Sequence, residues 1–386
     1  MTHVITTTDA LEKFCEPLRG ASFITFDTEF IREKTYYPQL CLMQICGPDA
    51  THAAAIDTLA TGLDLSPVYA LLDDTNIVKV MHAGKQDIEI LVNRQGRIPA
   101  PLFDTQVAAM VCGYGEQIGY ESIVRQLTGT SIDKSQQFTD WAQRPLSPQQ
   151  ITYAIADVVH LCAVYRALLS ELTQGNRLQW MDEEITKMQD LSAYVVEPKD
   201  AWLRQKKRHG SPHYLARLRA LAAWREQEAQ ARDVPRGRLI KDDTLQELAM
   251  TAPKNLAALS RARGLGNHLS QQQKETLLQL VAEASVLPRE ACPVSEPHRP
   301  VSPTHELQRD LLKLLLKLVC ERQRISPRLV ADGDMLSAMI EGQRELPVFN
   351  GWRYDLFGKL ALPLLEGKLA LGIDPAQQTV VEFSKE

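Results

Sequence analysis

The stretch SFITFDTEF, residues 22–30, combines an apolar strand pattern with two neighbouring acids. Its first half is bulky and apolar, as in a core strand, and Asp27 and Glu29 then interrupt the apolar run. Side chains two residues apart on a strand point to the same face, so the two carboxylates project together. Adjacent carboxylates repel each other, and a divalent cation, which prefers oxygen ligands, relieves that repulsion. The alternative is a strand end that opens into a loop and leaves both acids in water.

The composition is that of an ordinary globular protein. The length of 386 residues predicts two or three domains, and 44% of the residues are hydrophobic and 24% charged. The N-terminus lacks the basic and apolar regions of a signal peptide, and no run reaches the roughly 18 apolar residues of a membrane span. The seven cysteines are scattered without a CxxC pair, which indicates neither a zinc site nor a disulfide framework. These features predict a cytoplasmic protein.

The two halves of the chain differ in charge. Residues 1–200 contain 15 Lys and Arg against 26 Asp and Glu, a net charge of −11. Residues 201–386 contain 28 against 22, a net charge of +6. An acidic part followed by a basic part is typical of a catalytic region joined to a region that holds a polyanion. Charge also varies between domains without such a role.

The N-terminal half predicts an α/β domain in which Asp87 is a third candidate ligand. The apolar runs 22–26, 39–46 and 52–56 follow one another closely and predict an antiparallel meander. A further strand, 77–81, leads into a helix that has Asp87 in its first turn. The helix dipole alone favours an acid there, but the strand before it also aims this turn toward a site at the sheet edge.

A second helix, predicted over 149–172, begins at Ser147-Pro148 and holds further candidates. Tyr153 and Asp157 are four residues apart and share one face of this helix. The alternative is a surface tyrosine above a surface acid, although an aspartate in mid-helix is unfavourable by propensity. His160 points near the same face, where it is either a base or, as we expect, a packed or solvent-facing histidine. Asp104, before Thr105, is expected to cap another helix.

The second half of the chain is predicted to be helical and begins with a basic segment. Residues 201–241 contain 11 Lys and Arg against 3 Asp and Glu, with aromatic residues interleaved. This pattern is typical of nucleic-acid binding, but also of a solvated basic helix with core aromatics. The residues that the first interpretation selects are Arg204, Lys206, Lys207, Arg208, Arg217 and Trp224. A Pro-rich linker then precedes helices expected over 305–324, 326–340 and 352–371.

Three motifs together resemble a known family. FDTEF (26–30), HAGKQD (82–87) and YAIAD (153–157) are similar to the exonuclease motifs of the DEDD superfamily, and the tyrosine four residues before the last aspartate marks its tyrosine branch. YPQLCLMQI (37–45), LFDTQVAAMVCGYGEQIGYE (102–121) and the basic helical tail resemble the bacterial ribonuclease D family.

The resemblance implies a fold and a division into domains. The fold is α/β, with a mixed-sheet, ribonuclease H-like exonuclease domain followed by two small all-helical domains of the helicase-and-RNase-D C-terminal (HRDC) type. The implied boundaries are 1–204 for the exonuclease domain, 205–287 for the first HRDC domain, 288–304 for the Pro-rich linker and 305–386 for the second HRDC-like domain.

The resemblance also implies an activity. Asp27, Glu29, Asp87 and Asp157 become ligands of two divalent ions, Mg²⁺ or Mn²⁺, and Tyr153 positions the attacking water. The expected function is a 3′→5′ exoribonuclease that releases nucleoside 5′-monophosphates in tRNA 3′-end maturation, with tRNA precursors and other structured small RNAs as substrates. The alternatives are a DNA-directed 3′→5′ exonuclease and a nucleic-acid-binding protein with a vestigial site.

Overall fold

The computed structural model describes residues 3–205, 210–265, 269–294, 302–374 and 379–384. Its N-terminal part is built on a six-stranded mixed sheet in the order β1-β4-β3-β2-β5-β6. The strands are β1 (His3–Ile5), β2 (Phe23–Ile31), β3 (Gln39–Cys46), β4 (Ala53–Ile56), β5 (Val78–Met81) and β6 (Leu102–Asp104).

The predicted meander is confirmed, because β2 pairs antiparallel with β3 and β3 antiparallel with β4. The β1–β4, β2–β5 and β5–β6 pairs are parallel. One face of β2 presents Ile24 and Phe26 to a fully buried core. Since faces alternate along the strand, Thr25, Asp27 and Glu29 lie on the opposite face.

Helices cover both faces of the sheet. In the N-terminal part they are α1 (Thr8–Cys15), α2 (Ser66–Asp73), α3 (Lys85–Gln95), α4 (Thr105–Val111), α5 (Tyr120–Thr128), α6 (Pro148–Gln174) and α7 (Asp182–Met188). The long helix α6 begins as predicted, with Ser147 and Gln150 forming a capping box. Among the described residues it is the single helix long and apolar enough for a membrane span, but it packs across β2, β3 and β4 as a core helix does.

The middle region, residues 198–285, has a hydrophobic core of its own. After a 3₁₀ helix (Pro198–Arg204) it contains α8 (Pro212–Ala231), α9 (Arg236–Leu239), α10 (Asp242–Thr251), α11 (Leu256–Leu259) and α12 (Gln271–Ser285). Tyr214, Leu245 and Leu277 are fully or almost fully buried together in this core. The bundle is therefore an independent packing unit.

The C-terminal region, residues 302–374, packs differently. It contains α13 (Pro303–Gln323), α14 (Pro327–Val330), α15 (Gly333–Ile340), α16 (Gly351–Arg353), a π-helical turn (Tyr354–Gly358) and α17 (Lys359–Leu365). Its buried Leu312 and Leu315 belong to one continuous core with Leu161 and Leu168 of α6. The approach is so close that a Cβ added at Gly113 would lie 2.5 Å from the carbonyl oxygen of Arg324.

The α/β class and the helical second half are confirmed, with one local correction. The helix predicted over 352–371 is wrong at its C-terminal end, because α17 stops at Leu365. A strand, β7 (Leu369–Asp374), follows and pairs antiparallel with β8 (Thr379–Ser384). The apolar residues of β7 come directly after those of α17. The helical pattern therefore continues into the strand when only the sequence is read, which is why the predicted helix is too long.

Candidate active site

Three acids from two elements meet above the sheet. Asp27 and Glu29 project from β2 and Asp157 from α6, and one oxygen of each lies within 4.8 Å of the others. The strand register shifts between Glu29 and Phe30, a bulge-like irregularity that redirects the end of β2. The strand alternation that pairs the first two acids and the helix lying across that face together produce the cluster.

Helix α6 is held over the strand by hydrogen bonds close to the acids. The Thr25 hydroxyl donates to the Val158 carbonyl at 2.8 Å. The Tyr120 hydroxyl donates to the main-chain carbonyl of Asp157 itself. These two contacts hold α6 at Asp157 and at the residue that follows it, on the turn that carries the acid.

Asp87 reaches the site from a separate turn. Asp104 accepts hydrogen bonds from the backbone amides of Ala83 and Gly84 at 3.3 and 2.9 Å, and it also caps α4, as predicted. This ties down the turn that opens α3, where Asp87 is 7% exposed and accepts from the Thr28 hydroxyl. Asp87 stands apart from the three-acid group, but its charge is close enough to raise the pKa of Asp27.

The acids carry no cationic partner among the described residues, and their pKa values reflect this. Burial, followed by the charges of Asp87, Asp157 and Glu29, raises the pKa of Asp27 well above its usual range. Burial and the neighbouring aspartates raise the pKa of Glu29 to about 9. Burial also raises the pKa of Asp157 to about 7 and that of Asp87 to about 6. The cluster is therefore an electrostatic cost until a cation compensates it.

The surroundings suit a metal ion with water. A cavity of about 140 Å³ lies beside Asp27 and Asp157 and is also lined by His82, Tyr120 and Tyr153. The all-oxygen donor set fits Mg²⁺ or Mn²⁺ rather than a thiolate-seeking metal. In these respects the residues present fit a divalent ion.

The sequence interpretation missed the residues that support the acids. Thr28 lies inside the quoted FDTEF motif, yet its role toward Asp87 depends on the position of α3. Gln44 is the cross-strand neighbour of Asp27, and its fully buried amide makes no hydrogen bond to the acids or to any other group in the described part of the chain. Cross-strand partners are not visible until the register is known.

The predicted RNA-binding residues have mixed outcomes. Trp224 is 8% exposed and packs in the core of the middle region, which favours the alternative that the aromatics of this segment are core residues. Arg217 donates to the Ala249 carbonyl at 2.7 Å and so ties α8 to α10, which is a structural role. Arg204 is exposed. Lys206, Lys207 and Arg208 lie outside the described residues.

Comparison with known proteins identifies the family. A family model described as 3′-5′ exonuclease matches residues 2–173, and the HRDC domain model matches residues 214–281. The chain is 44% identical to ribonuclease D of Gluconacetobacter diazotrophicus over 373 residues, which cover 96% of this chain and 94% of that protein. The chain belongs to the ribonuclease D family. It is also 43% identical to ribonuclease D of Zymomonas mobilis over 99% of both chains.

The solved structures agree with this ribonuclease D assignment. The crystal structure of Escherichia coli RNase D, an exoribonuclease involved in structured RNA processing, superposes with a TM-score of 0.78 at 34% identity. The match covers 95% of this chain and 99% of that one. The protein is accordingly a 3′→5′ exoribonuclease that acts on RNA, and its exonuclease family uses divalent metal ions.

Proposed function

We propose that Asp27, Glu29, Asp87 and Asp157 hold two divalent ions, Mg²⁺ or Mn²⁺, and that Tyr153 orients the attacking water. One observation carries this proposal: three carboxylate oxygens from β2 and α6 lie within 4.8 Å of one another, and no cationic side chain in the described part of the chain balances them. Asp157 is buried and the other two acids are half-buried, and crowded carboxylates without a partner are costly, so divalent ions are the compensation that this donor set fits. Asp87 approaches the same space from the first turn of α3.

The chain's own groups divide the work. When bound, divalent ions lower the pKa of water and stabilise charge on the attacking and leaving oxygens of the phosphodiester. Tyr153 lines the cavity beside Asp27 and Asp157, and burial, followed by the charge of Asp157, raises its pKa far above the usual value. Its hydroxyl therefore stays protonated near neutral pH, which favours orienting a water by hydrogen bonding over acting as a general base.

The proposed reaction removes one nucleotide at a time from an RNA 3′ end and releases nucleoside 5′-monophosphates. The proposed substrates are tRNA precursors with extra 3′ residues and other structured small RNAs, in the cytoplasm. Support comes from the resemblance to E. coli RNase D, whose described role is structured RNA processing. The domain boundaries 1–204, 205–287, 288–304 and 305–386, including a second HRDC-like domain, remain part of this proposal.

The decisive experiment compares Asp27→Ala with the wild-type enzyme on a 3′-trailered tRNA and on matched single-stranded DNA. Each substrate is tested with Mg²⁺, Mn²⁺ or a chelator. We expect Asp27→Ala to lose at least about 10³-fold in turnover, since several kcal/mol of transition-state stabilisation disappear. Glu12→Ala, which removes an exposed carboxylate of α1, is the matched control. Near-wild-type hydrolysis by Asp27→Ala, or hydrolysis in chelator, contradicts the metal proposal, and preferred cleavage of DNA contradicts the RNA assignment.

Tyr153→Phe tests the water-orienting role separately. We expect turnover to fall roughly 10²-fold, the effect of removing one well-placed hydrogen-bonding group, while calorimetry shows metal binding unchanged. An unchanged rate removes Tyr153 from the mechanism. A rate loss that accompanies lost metal binding instead assigns the residue to the metal site.

A further inference from the structure

A large open cleft lies between the exonuclease domain and the middle region. Its volume is about 1110 Å³, above the roughly 300–1,000 Å³ of small-molecule pockets. One wall is formed by a face of α3 and by the loop after β2, and the opposite wall by residues near Arg204 and Arg236. A space of this size with two walls suits a segment of a polymer better than a single small molecule.

The cleft is basic although the exonuclease half of the chain is acidic. Five cationic side chains line it against two acids, Glu89 and Glu197. The cations are Arg32, Lys85, Arg94, Arg204 and Arg236. A cleft lined by one sign of charge concentrates ligands of the opposite sign. The local charge is therefore opposite to the net charge of −11 carried by residues 1–200.

Two of these cations are available to a ligand. Arg32 forms an ion pair with Glu89 at 2.9 Å, and Arg236 is paired with the buried Glu226. Lys85 and Arg204 are exposed, face the cleft from opposite walls and have no ion-pair or hydrogen-bond partner in the described ranges. They are consequently the side chains that can contact phosphates without breaking an internal contact.

The cleft borders two elements that also carry the proposed metal ligands. Lys85 and Asp87 are both in the first turn of α3, although side chains two residues apart on a helix point to different faces. Arg32 follows β2 three residues after Glu29. Tyr37 also lines the cleft and is 37% exposed, which leaves an aromatic face for a base.

Direct contacts join the two walls. The backbone amides of Tyr36 and Tyr37 donate to one carboxylate oxygen of Asp233, at 2.9 and 3.0 Å. The Tyr36 hydroxyl donates to Glu226, and the Arg236 guanidinium lies 4.8 Å from the centre of the Tyr36 ring. These contacts join the loop after β2 directly to α8 and the turn that follows it.

We propose that this cleft binds the RNA segment upstream of the nucleotide being removed, with Lys85 and Arg204 contacting phosphates from opposite walls. The proposal rests on the proposed function, since it takes the acids around Asp27 as the point of cleavage. It places the RNA contact at the junction between the two domains and keeps Arg204 from the residues predicted from the sequence. The acidic exonuclease domain thus receives its polyanionic substrate through a locally basic passage.

The test measures RNA binding by Lys85→Ala, Arg204→Ala and the double variant. The probe is a single-stranded RNA of about 20 nucleotides, longer than the roughly 4–16 that one binding unit covers. Binding is measured in chelator, so that the result does not depend on catalysis. We expect the double variant to bind roughly tenfold more weakly at low salt, with the slope of log affinity against log salt reduced by about 0.7 for each lost phosphate contact.

Matched controls separate a located site from general charge. Lys13→Ala and Lys254→Ala remove exposed lysines outside the cleft, one from each domain. Lys85→Arg retains the charge and should restore most of the affinity. In Mg²⁺, the ratio of kcat/KM for the long RNA to that for a dinucleotide should fall by about tenfold in the double variant, because the dinucleotide has no upstream segment.

Three outcomes overturn the cleft proposal. The first is an unchanged affinity and salt slope in the double variant, and the second is an equal loss in the Lys13→Ala and Lys254→Ala controls. The third is an unchanged ratio of kcat/KM for the long RNA to that for the dinucleotide in the double variant. That result means that the substitutions affect only the nucleotide being removed and not the upstream RNA. Failure of the metal proposal looks different, because it leaves the binding results in chelator untouched and shows itself in Asp27→Ala turnover.

Discussion

The middle and C-terminal regions are both helical, yet they are attached to the exonuclease domain in opposite ways. The middle region closes its own core and meets the domain through polar groups such as Asp233 and Glu226 and through a small apolar cluster around Tyr36. The C-terminal region shares one apolar core with α4 and α6. Burial of apolar surface is the main favourable term in folding, so the C-terminal region contributes to the stability of the exonuclease domain. We expect that changes at the contact with the middle region leave the exonuclease domain folded.

The charge pattern alone suggests a truncation experiment, but the shared core makes its result ambiguous. Deleting residues 205–386 to test RNA binding also removes the partners of buried Leu161 and Leu168 of α6. A loss of binding in that truncation would mix misfolding with a lost contact. Point substitutions therefore probe the two regions better than truncation does.

The largest expected effect comes from the two cores. Leu315→Ala and Leu245→Ala each remove a fully buried leucine, one from the shared core and one from the middle region's core. Each should lower the free energy of unfolding by about 2–5 kcal/mol. Hydrogen exchange should show lost protection in α6 for Leu315→Ala only. Equal loss of α6 protection in both variants contradicts the division between shared and separate cores.

Metal binding gives the next effect. A ligand at 100 times its Kd stabilises the folded form by about 2.7 kcal/mol. Mg²⁺ or Mn²⁺ should therefore raise the melting temperature of the transition that includes α6 and the C-terminal region, and leave the middle region's transition in place. Calorimetry with and without metal checks this, with Asp27→Ala as the variant expected to lose the shift. A common shift of both regions would show that they unfold as one unit.

Glu226→Gln tests the polar attachment. Glu226 is 1% exposed and accepts from Tyr36 and Arg236, so the change should weaken docking by about 1.5–3 kcal/mol, seen as faster proteolysis between the domains. Burial raises the pKa of Glu226, but hydrogen bonds from Arg236 and Tyr36 outweigh it, and the net pKa is lowered.

The lowered pKa fixes the direction of the pH effect. A carboxylate with a lowered folded-state pKa contributes stability above its unfolded value of about 4.3, and that stability is lost as the pH falls through the folded-state value. Docking of the middle region in the wild-type protein should weaken in acid. The Glu226→Gln variant should lack this pH-dependent contribution to docking. An identical acid profile in the two proteins excludes Glu226 as its source.

Tyr36→Phe has the smallest expected effect. It removes one hydroxyl from the same cluster and leaves the Glu226–Arg236 pair in place, so a loss of about 0.5–1.5 kcal/mol is expected. Tyr354→Phe, at a tyrosine that is 39% exposed, is the control. A larger effect for Tyr36→Phe than for Glu226→Gln would reverse the assigned importance of the charge and the hydroxyl.

The acids and the order of the main elements were predictable because they depend on local pattern. Strand alternation pairs Asp27 with Glu29, and helical spacing puts Tyr153 on the face of Asp157. The cap at Asp104 follows from the same kind of short-range chemistry. The three-residue strands β1 and β6 escaped prediction, because such short runs become strands only when a neighbouring strand supplies hydrogen bonds.

By itself, the sequence determined the α/β class, the acidic set and the helical second half, since periodicity, capping and motif spacing are written in neighbouring residues. The tertiary structure alone decided which helical region completes the exonuclease core and which meets it through polar groups. It also decided that Trp224 is core and that Lys85 and Arg204 line the same cleft. Those outcomes depend on contacts between residues far apart in the chain, and no local pattern specifies them.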